Sequence, residues 1–158
     1  LGWVGEGPVR IAVRPPTVPE LELSAFGEAK AALLTASLDD DGSLVDAAAE
    51  ACQGIVVEAL GAGHLPLSWA ERLERAAERL PVAFASRTGS GEVLTATYGF
   101  PGSETDLIAR GLIPAGWLDG PKARVLMTLL LRGSGADSVR SGFERYLSAP
   151  SIPTGAAR

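Results

Sequence analysis

Gly54-Ile55-Val56-Val57-Glu58-Ala59-Leu60-Gly61-Ala62-Gly63-His64 runs from a glycine through six mostly apolar residues into a glycine-rich turn. Ile55 to Leu60 predicts a strand that is apolar on both faces, as a central parallel strand is. Gly61 to His64 predicts a tight turn. Beyond it, Ser68 and Glu71 stand at capping-box spacing. They predict a helix with Trp69, Leu73, Ala76, Ala77 and Leu80 on one face. Pro81 stops that helix, Val82 to Ser86 reads as the next strand, and Arg87 to Glu92 as a glycine-rich loop. A strand, a helix and a strand at this spacing predict a parallel sheet.

The pattern continues outward in both directions. Upstream, Ala31 to Leu38 suits a buried strand and Asp39-Asp40-Asp41-Gly42 a turn. Ser43 then offers a helix N-cap with Asp46 in the first turn, and a helix runs to about Cys52. Downstream, Ser103 and Asp106 bracket the first turn of a short helix through Arg110, and Leu112-Ile113 reads as a fourth strand. Asp119 and Pro121 start an apolar helix ending near Gly133. A last helix from about Asp137 to Leu147 turns Val139, Phe143, Tyr146 and Leu147 inward. The fold class is therefore α/β, a three-layer αβα domain with a small, mostly parallel four-stranded sheet. Residues 28–148 form this domain. Residues 1–27 read as a linker, with a short strand at Val9 to Val13 and a proline-rich connector from Pro15. Residues 149–158 read as a mobile tail.

Composition narrows the classes of function. The 158 residues are 46% hydrophobic and 21% charged, a globular balance rather than a disordered one. Net charge is −5, and the arginines are scattered, some of them beside glutamates, as in Glu71-Arg72 and Glu74-Arg75. That argues against nucleic acid as a partner. Val125 to Leu131, the longest strongly apolar run, is too short to span a bilayer, so no membrane partner is expected. The N-terminus has no signal-peptide pattern. Cys52 is the single cysteine and excludes an internal disulfide, which fits a reducing, cytoplasmic setting.

Several motifs fail on chemistry. Gly61-Ala62-Gly63 begins a dinucleotide fingerprint, but Pro66 occupies the third glycine position. No Gly-Lys-Ser/Thr triplet and no Gly-x-Ser-x-Gly elbow occur. The Asp39-Asp40-Asp41 run fails as a calcium loop. With Gly42 at the turn position, Ala48 would have to supply the bidentate carboxylate. One histidine and one cysteine cannot build a zinc site. No metal or cofactor is expected.

Right-handed crossovers bring the loops at Gly61 to His64, Ser86 to Glu92 and around Glu104 to one edge of the sheet, where ligands bind in such folds. His64, the one histidine, reads either as a helix-start residue bonded to backbone or as a ligand-facing donor. Glu104 reads either as a cap or as a ligand group. Arg87-Thr88-Gly89-Ser90-Gly91 reads either as an anion-binding backbone or as an ordinary loop.

Four stretches in order resemble the C-terminal domain of the bacterial L-asparaginase family. They are Gly54 to His64, Ser86-Arg87-Thr88-Gly89-Ser90-Gly91, Tyr98-Gly99-Phe100-Pro101-Gly102-Ser103-Glu104 and Asp119-Gly120-Pro121-Lys122-Ala123-Arg124. Leu1-Gly2-Trp3-Val4 and Val9-Arg10-Ile11 resemble the linker strand ahead of that domain. The resemblance implies a small Rossmann-like domain that follows a large N-terminal domain. It implies hydrolysis of L-asparagine to L-aspartate and ammonia, with a threonine nucleophile on the N-terminal domain. It also implies a homodimer or tetramer in which this domain completes a neighbour's site.

Carried over by position, His64 takes the place of the polar residue after the Gly-x-Gly turn, often Asn or Ser. Glu104 takes the place of the glutamate near the substrate's α-amino group. Further loop contacts fall on Gly63, Arg87 and Thr88. The family's Thr-Gly-Gly-Thr-Ile and Thr-Asp-Thr stretches are not in this sequence, so no catalytic residue is assigned and the chain alone is expected to be inactive. The alternatives are a stand-alone module that binds a small molecule or a protein without catalysis, and an unrelated parallel α/β domain binding some other small molecule.

Overall fold

The computed structural model describes residues 2–3, 10–11, 19–21 and 27–148. The expected connector lies mostly, and the expected tail wholly, outside them. Two short strands, β1 (Gly2–Trp3) and β2 (Arg10–Ile11), pair antiparallel. The rest of the strand expected at Val9 to Val13 falls outside the described residues.

Four strands form a parallel sheet in the order β3 (Ala31–Thr35), β4 (Gly54–Ala59), β5 (Val82–Ser86) and β6 (Ile113–Pro114). β4 pairs with β3 from Ala31↔Gly54 to Thr35↔Glu58 and with β5 from Ile55↔Val82 to Ala59↔Ser86. Every residue of β5 is buried, which is why Val82 to Ser86 carries no polar alternation. β6 is only two residues long, since Pro114 has no N–H for the ladder.

Because side chains alternate along a strand, the sheet separates two cores. Ile55, Val57, Ala59, Val82 and Phe84 pack on one face. They meet Val45 of α1 (Leu44–Ala51) and Trp69 and Leu73 of α2 (Leu67–Ala77). Val56, Ala83 and Ala85 pack on the other, against Met127 of α4 (Gly120–Gly133) and Phe143 of α5 (Val139–Leu147). The short α3 (Glu104–Ala109) sits between β5 and β6 in the chain and sends Leu107 into the first core. The three-layer αβα reading holds. On α5 Val139 and Phe143 are fully buried, whereas Tyr146 and Leu147 are half-buried.

Two caps differ from expectation. Ser43 occupies the N-cap of α1 but makes no side-chain cap bond, and Val45 N donates to Gly42 O instead (2.9 Å). At α2 the helix begins two residues early. Pro66 is the N-cap, and its carbonyl accepts from Trp69 N and Ala70 N (3.0 and 3.1 Å). Ser68 therefore lies inside the first turn, and the capping box with Glu71 does not form. Asp119 does cap α4, its carboxylate accepting from Lys122 N at 2.9 Å, with Pro121 in the first turn.

Candidate functional site

The turn after β4 is pinned by its own backbone. Leu60 N donates to His64 O and His64 N to Leu60 O, both at 2.9 Å. Gly63, at φ +117°, lets this turn settle onto the layer below. A Cβ there would stand 2.9 Å from the Phe84 ring and 3.5 Å from Glu104 Cβ. Leu65 N donates to Gly102 O (2.9 Å), which ties the turn to the loop ahead of α3.

That loop is organised around its acidic residues. Asp106 accepts from Gly102 N at 2.7 Å and from Arg110 Nε at 2.8 Å, and Arg110 also pairs with Glu74 of α2. Ser103 Oγ donates to Tyr98 O at 2.9 Å, and Thr105 Oγ1 donates to the same carbonyl. Glu104 is 0% exposed. Its Oε1 accepts from Thr97 N and Tyr98 N, at 2.8 and 2.6 Å.

Its other oxygen, Oε2, has no hydrogen-bond partner among the described residues. It lies 3.4 Å from His64 Nε2, which is equally without one. The imidazole is flanked edge-on by Tyr98 (4.9 Å between centroids) and Phe100 (5.0 Å). Both rings are nearly half exposed. The arrangement is a buried carboxylate with one oxygen fixed and the other unpaired, covered by an imidazole between two rings.

Burial is the largest single influence on Glu104 and pushes its carboxyl up. The Tyr98 and Thr97 amides, its own amide and the His64 imidazole outweigh it, and the net shift is downward. Asp106 is likewise lowered, burial opposing the Arg110 and Gly102 hydrogen bonds. A carboxyl whose folded value is depressed stabilises the fold above its unfolded value and ceases to as pH falls through its folded value. Stability should therefore hold from neutrality to about pH 5 and fall below about pH 4. Circular-dichroism melts across that range should show a shallower acid loss for Glu104→Gln than for the unmodified chain. Equal slopes would contradict the assignment.

The structure brings His64, Gly63 and Glu104 together but turns Arg87 and Thr88 to other tasks. Arg87 Nη1 donates to Ala36 O (2.6 Å), joining the loops after β5 and β3. Thr88 Oγ1 donates to Ser90 O (2.7 Å), and Ser86 Oγ to Gly61 O (2.6 Å). Sequence reasoning missed Tyr98 and Phe100 as ring partners of His64, and Thr97 and Tyr98 as amide donors to Glu104. The first two stand in the quoted Tyr98-to-Glu104 stretch, but no local spacing shows that their rings meet a turn more than thirty residues earlier in the chain. A cavity of about 430 Å³ lies elsewhere, between the Gly89-Ser90-Gly91 loop and the start of α4. No group of three His, Cys, Asp or Glu suited to a metal occurs among the described residues, and no helix there is long and apolar enough to cross a membrane.

A family model described as the glutaminase/asparaginase C-terminal domain matches residues 30–143. The chain belongs to this family. The asparaginase-type domain is thus nearly the whole of the four-stranded αβα unit, from the start of β3 into α5, with His64 and Glu104 inside the matched range. The chain is similar to a protein named probable L-asparaginase from Deinococcus radiodurans, 38% identical over 97 residues. It is also similar to an L-asparaginase from Bacillus licheniformis, 35% identical over 96 residues. These matches cover 61% and 60% of this chain but only 29% and 30% of the relatives, so the matched stretch spans less than a third of their length.

Proposed function

We propose that this domain supplies the ammonium-binding edge of an asparaginase-type active site, one that hydrolyses L-asparagine to L-aspartate and ammonia. Glu104 receives the substrate's α-ammonium, and His64 is the polar residue beside it. The observation that carries this reading is the unpaired Oε2 of a buried carboxylate. A buried anionic oxygen that accepts no hydrogen bond, with only the His64 imidazole 3.4 Å away, is unfavourably placed, and a ligand cation relieves it with a charge-assisted hydrogen bond. Fixing the α-ammonium also orients the amide carbon for attack. The names of the relatives support the reaction.

The nucleophile belongs to an N-terminal domain, and the site is completed across subunits of a homodimer or tetramer. Exposed Tyr98 and Phe100 beside the site, and exposed Trp117 and Val125 in an apolar groove with Tyr146, support a surface that other protein covers. The sequence has neither Thr-Gly-Gly-Thr-Ile nor Thr-Asp-Thr. A positioned nucleophile and its base are needed together. The purified 158-residue chain should therefore release no ammonia from L-asparagine above a buffer blank. Turnover by this chain, lost in Thr88→Ala, would overturn the assignment of the nucleophile.

A further inference from the structure

We infer that His64 is a side-chain gate on Glu104, closed in the free chain and swung aside when an ammonium group binds. This rests on the reading of Glu104 as the ammonium acceptor. Oε2 is the one carboxylate oxygen of Glu104 left for a ligand, and it is buried beneath the imidazole rather than open to solvent. A cation cannot reach it while His64 stays where it is.

The turn itself is a poor hinge. The reciprocal Leu60–His64 backbone bonds hold it, and the Leu65–Gly102 bond ties it to the opposite loop. Movement is left to the His64 side chain, which is 25% exposed. The closed state is also incompletely bonded. At 3.4 Å Nε2 and Oε2 form no hydrogen bond, so two buried polar atoms are unsatisfied. An incoming ammonium donates to Oε2, and the displaced imidazole gains water. Both deficits disappear in one step, which gives the ligand the differential affinity that opening requires. Tyr98 and Phe100 meet the ring edge-on and give the closed rotamer its packing.

The backbone amides of Thr97 and Tyr98, which donate to Oε1, report on the carboxylate directly. Their nitrogen–proton resonances should be followed while L-asparagine is titrated into the 158-residue chain, its His64→Ala variant and its Glu104→Gln variant. Succinamate, which lacks the α-ammonium, serves as the control ligand. Apparent affinity scales with the fraction of molecules already open. His64→Ala should bind L-asparagine about tenfold more tightly than the unmodified chain, the gain expected if roughly one molecule in ten is open. Succinamate should move neither amide, and Glu104→Gln should abolish the response to L-asparagine.

Equal or weaker binding by His64→Ala, with Glu104→Gln still abolishing it, would overturn the gate and leave the carboxylate reading standing. Tight binding by His64→Ala that survives Glu104→Gln would overturn both, and no saturable response in any folded variant, His64→Ala included, would overturn the gate, because uncovering Oε2 would then admit no ammonium.

Discussion

On the proposed assignment, Glu104→Gln in an active assembly that includes the nucleophile-bearing domain is expected to lower kcat/KM for L-asparagine between about 30-fold and 4,000-fold. That is the kinetic equivalent of roughly 2–5 kcal/mol for removing one charge of a buried hydrogen-bonded pair. The substitution keeps an oxygen that can accept from Thr97 N and Tyr98 N, so the loop retains its anchors. It then places an amide NH₂ where Oε2 stood, and a donor meets the ammonium in place of an anion. Because the side chain is fully buried, water does not screen the loss. Succinamate brings no ammonium to this edge, and its kcat/KM should change by less than about twofold, within roughly 0.4 kcal/mol. A comparable loss for both substrates would mean that Glu104 acts through the shape of its loop. No loss for either would remove Glu104 from the site.

The second large effect is expected at a position that touches no ligand. A Cβ added at Gly102 would lie 2.2 Å from Leu65 O, a backbone atom held in place by its turn, and Gly102 has φ +85°. Neither partner can yield without moving the turn under His64 or the loop that carries Glu104. Gly91 has nearly the same dihedral, φ +81°, with nothing within 4 Å of the added atom. Gly91→Ala therefore measures the left-handed conformation alone, about 1–2 kcal/mol. Gly102→Ala adds the collision and should reach about 3 kcal/mol or more. In a chain of this size that is a fall in Tm of roughly 10 °C. Calorimetric melts of both variants give the comparison directly. Equal shifts would mean that the Leu65–Gly102 junction relaxes freely and does not hold the two halves of the site together.

The sheet was legible in the sequence because its two central strands are buried on both faces. Gly54 to Leu60 and Val82 to Ser86 have no polar alternation, and helical spacing at Trp69, Leu73 and Ala76 separates them. The caps were less legible. Ser68 and Glu71 have capping-box spacing, but Pro66 accepts the first helical bonds two residues earlier, which puts Ser68 inside the first turn. At the site, the residues carried over by resemblance, His64 and Glu104, do lie together.

What no pattern of spacing revealed is how they meet. Oε1 is spent on two amides, Oε2 is unpaired, and the imidazole lies over it between Tyr98 and Phe100. Those contacts join a turn after β4 to a loop before α3 and depend on two close backbone approaches, at Gly63 and Gly102. Long-range packing of this kind is written in the fold and not in any local run of residues. Arg87 shows the same. Its glycine-rich loop read either as an anion-binding backbone or as an ordinary loop, and no local pattern placed its guanidinium on the carbonyl of Ala36.

The most direct test is a crystal structure of this domain assembled with its proposed nucleophile-bearing domain and with L-aspartate bound. Glu104 Oε2 should lie about 2.7–2.9 Å from the ligand's α-ammonium nitrogen, the range of a charge-assisted N–H···O bond. The nucleophilic threonine should come from a neighbouring subunit. An α-ammonium held by other groups, with Glu104 still closed beneath His64, would contradict the account.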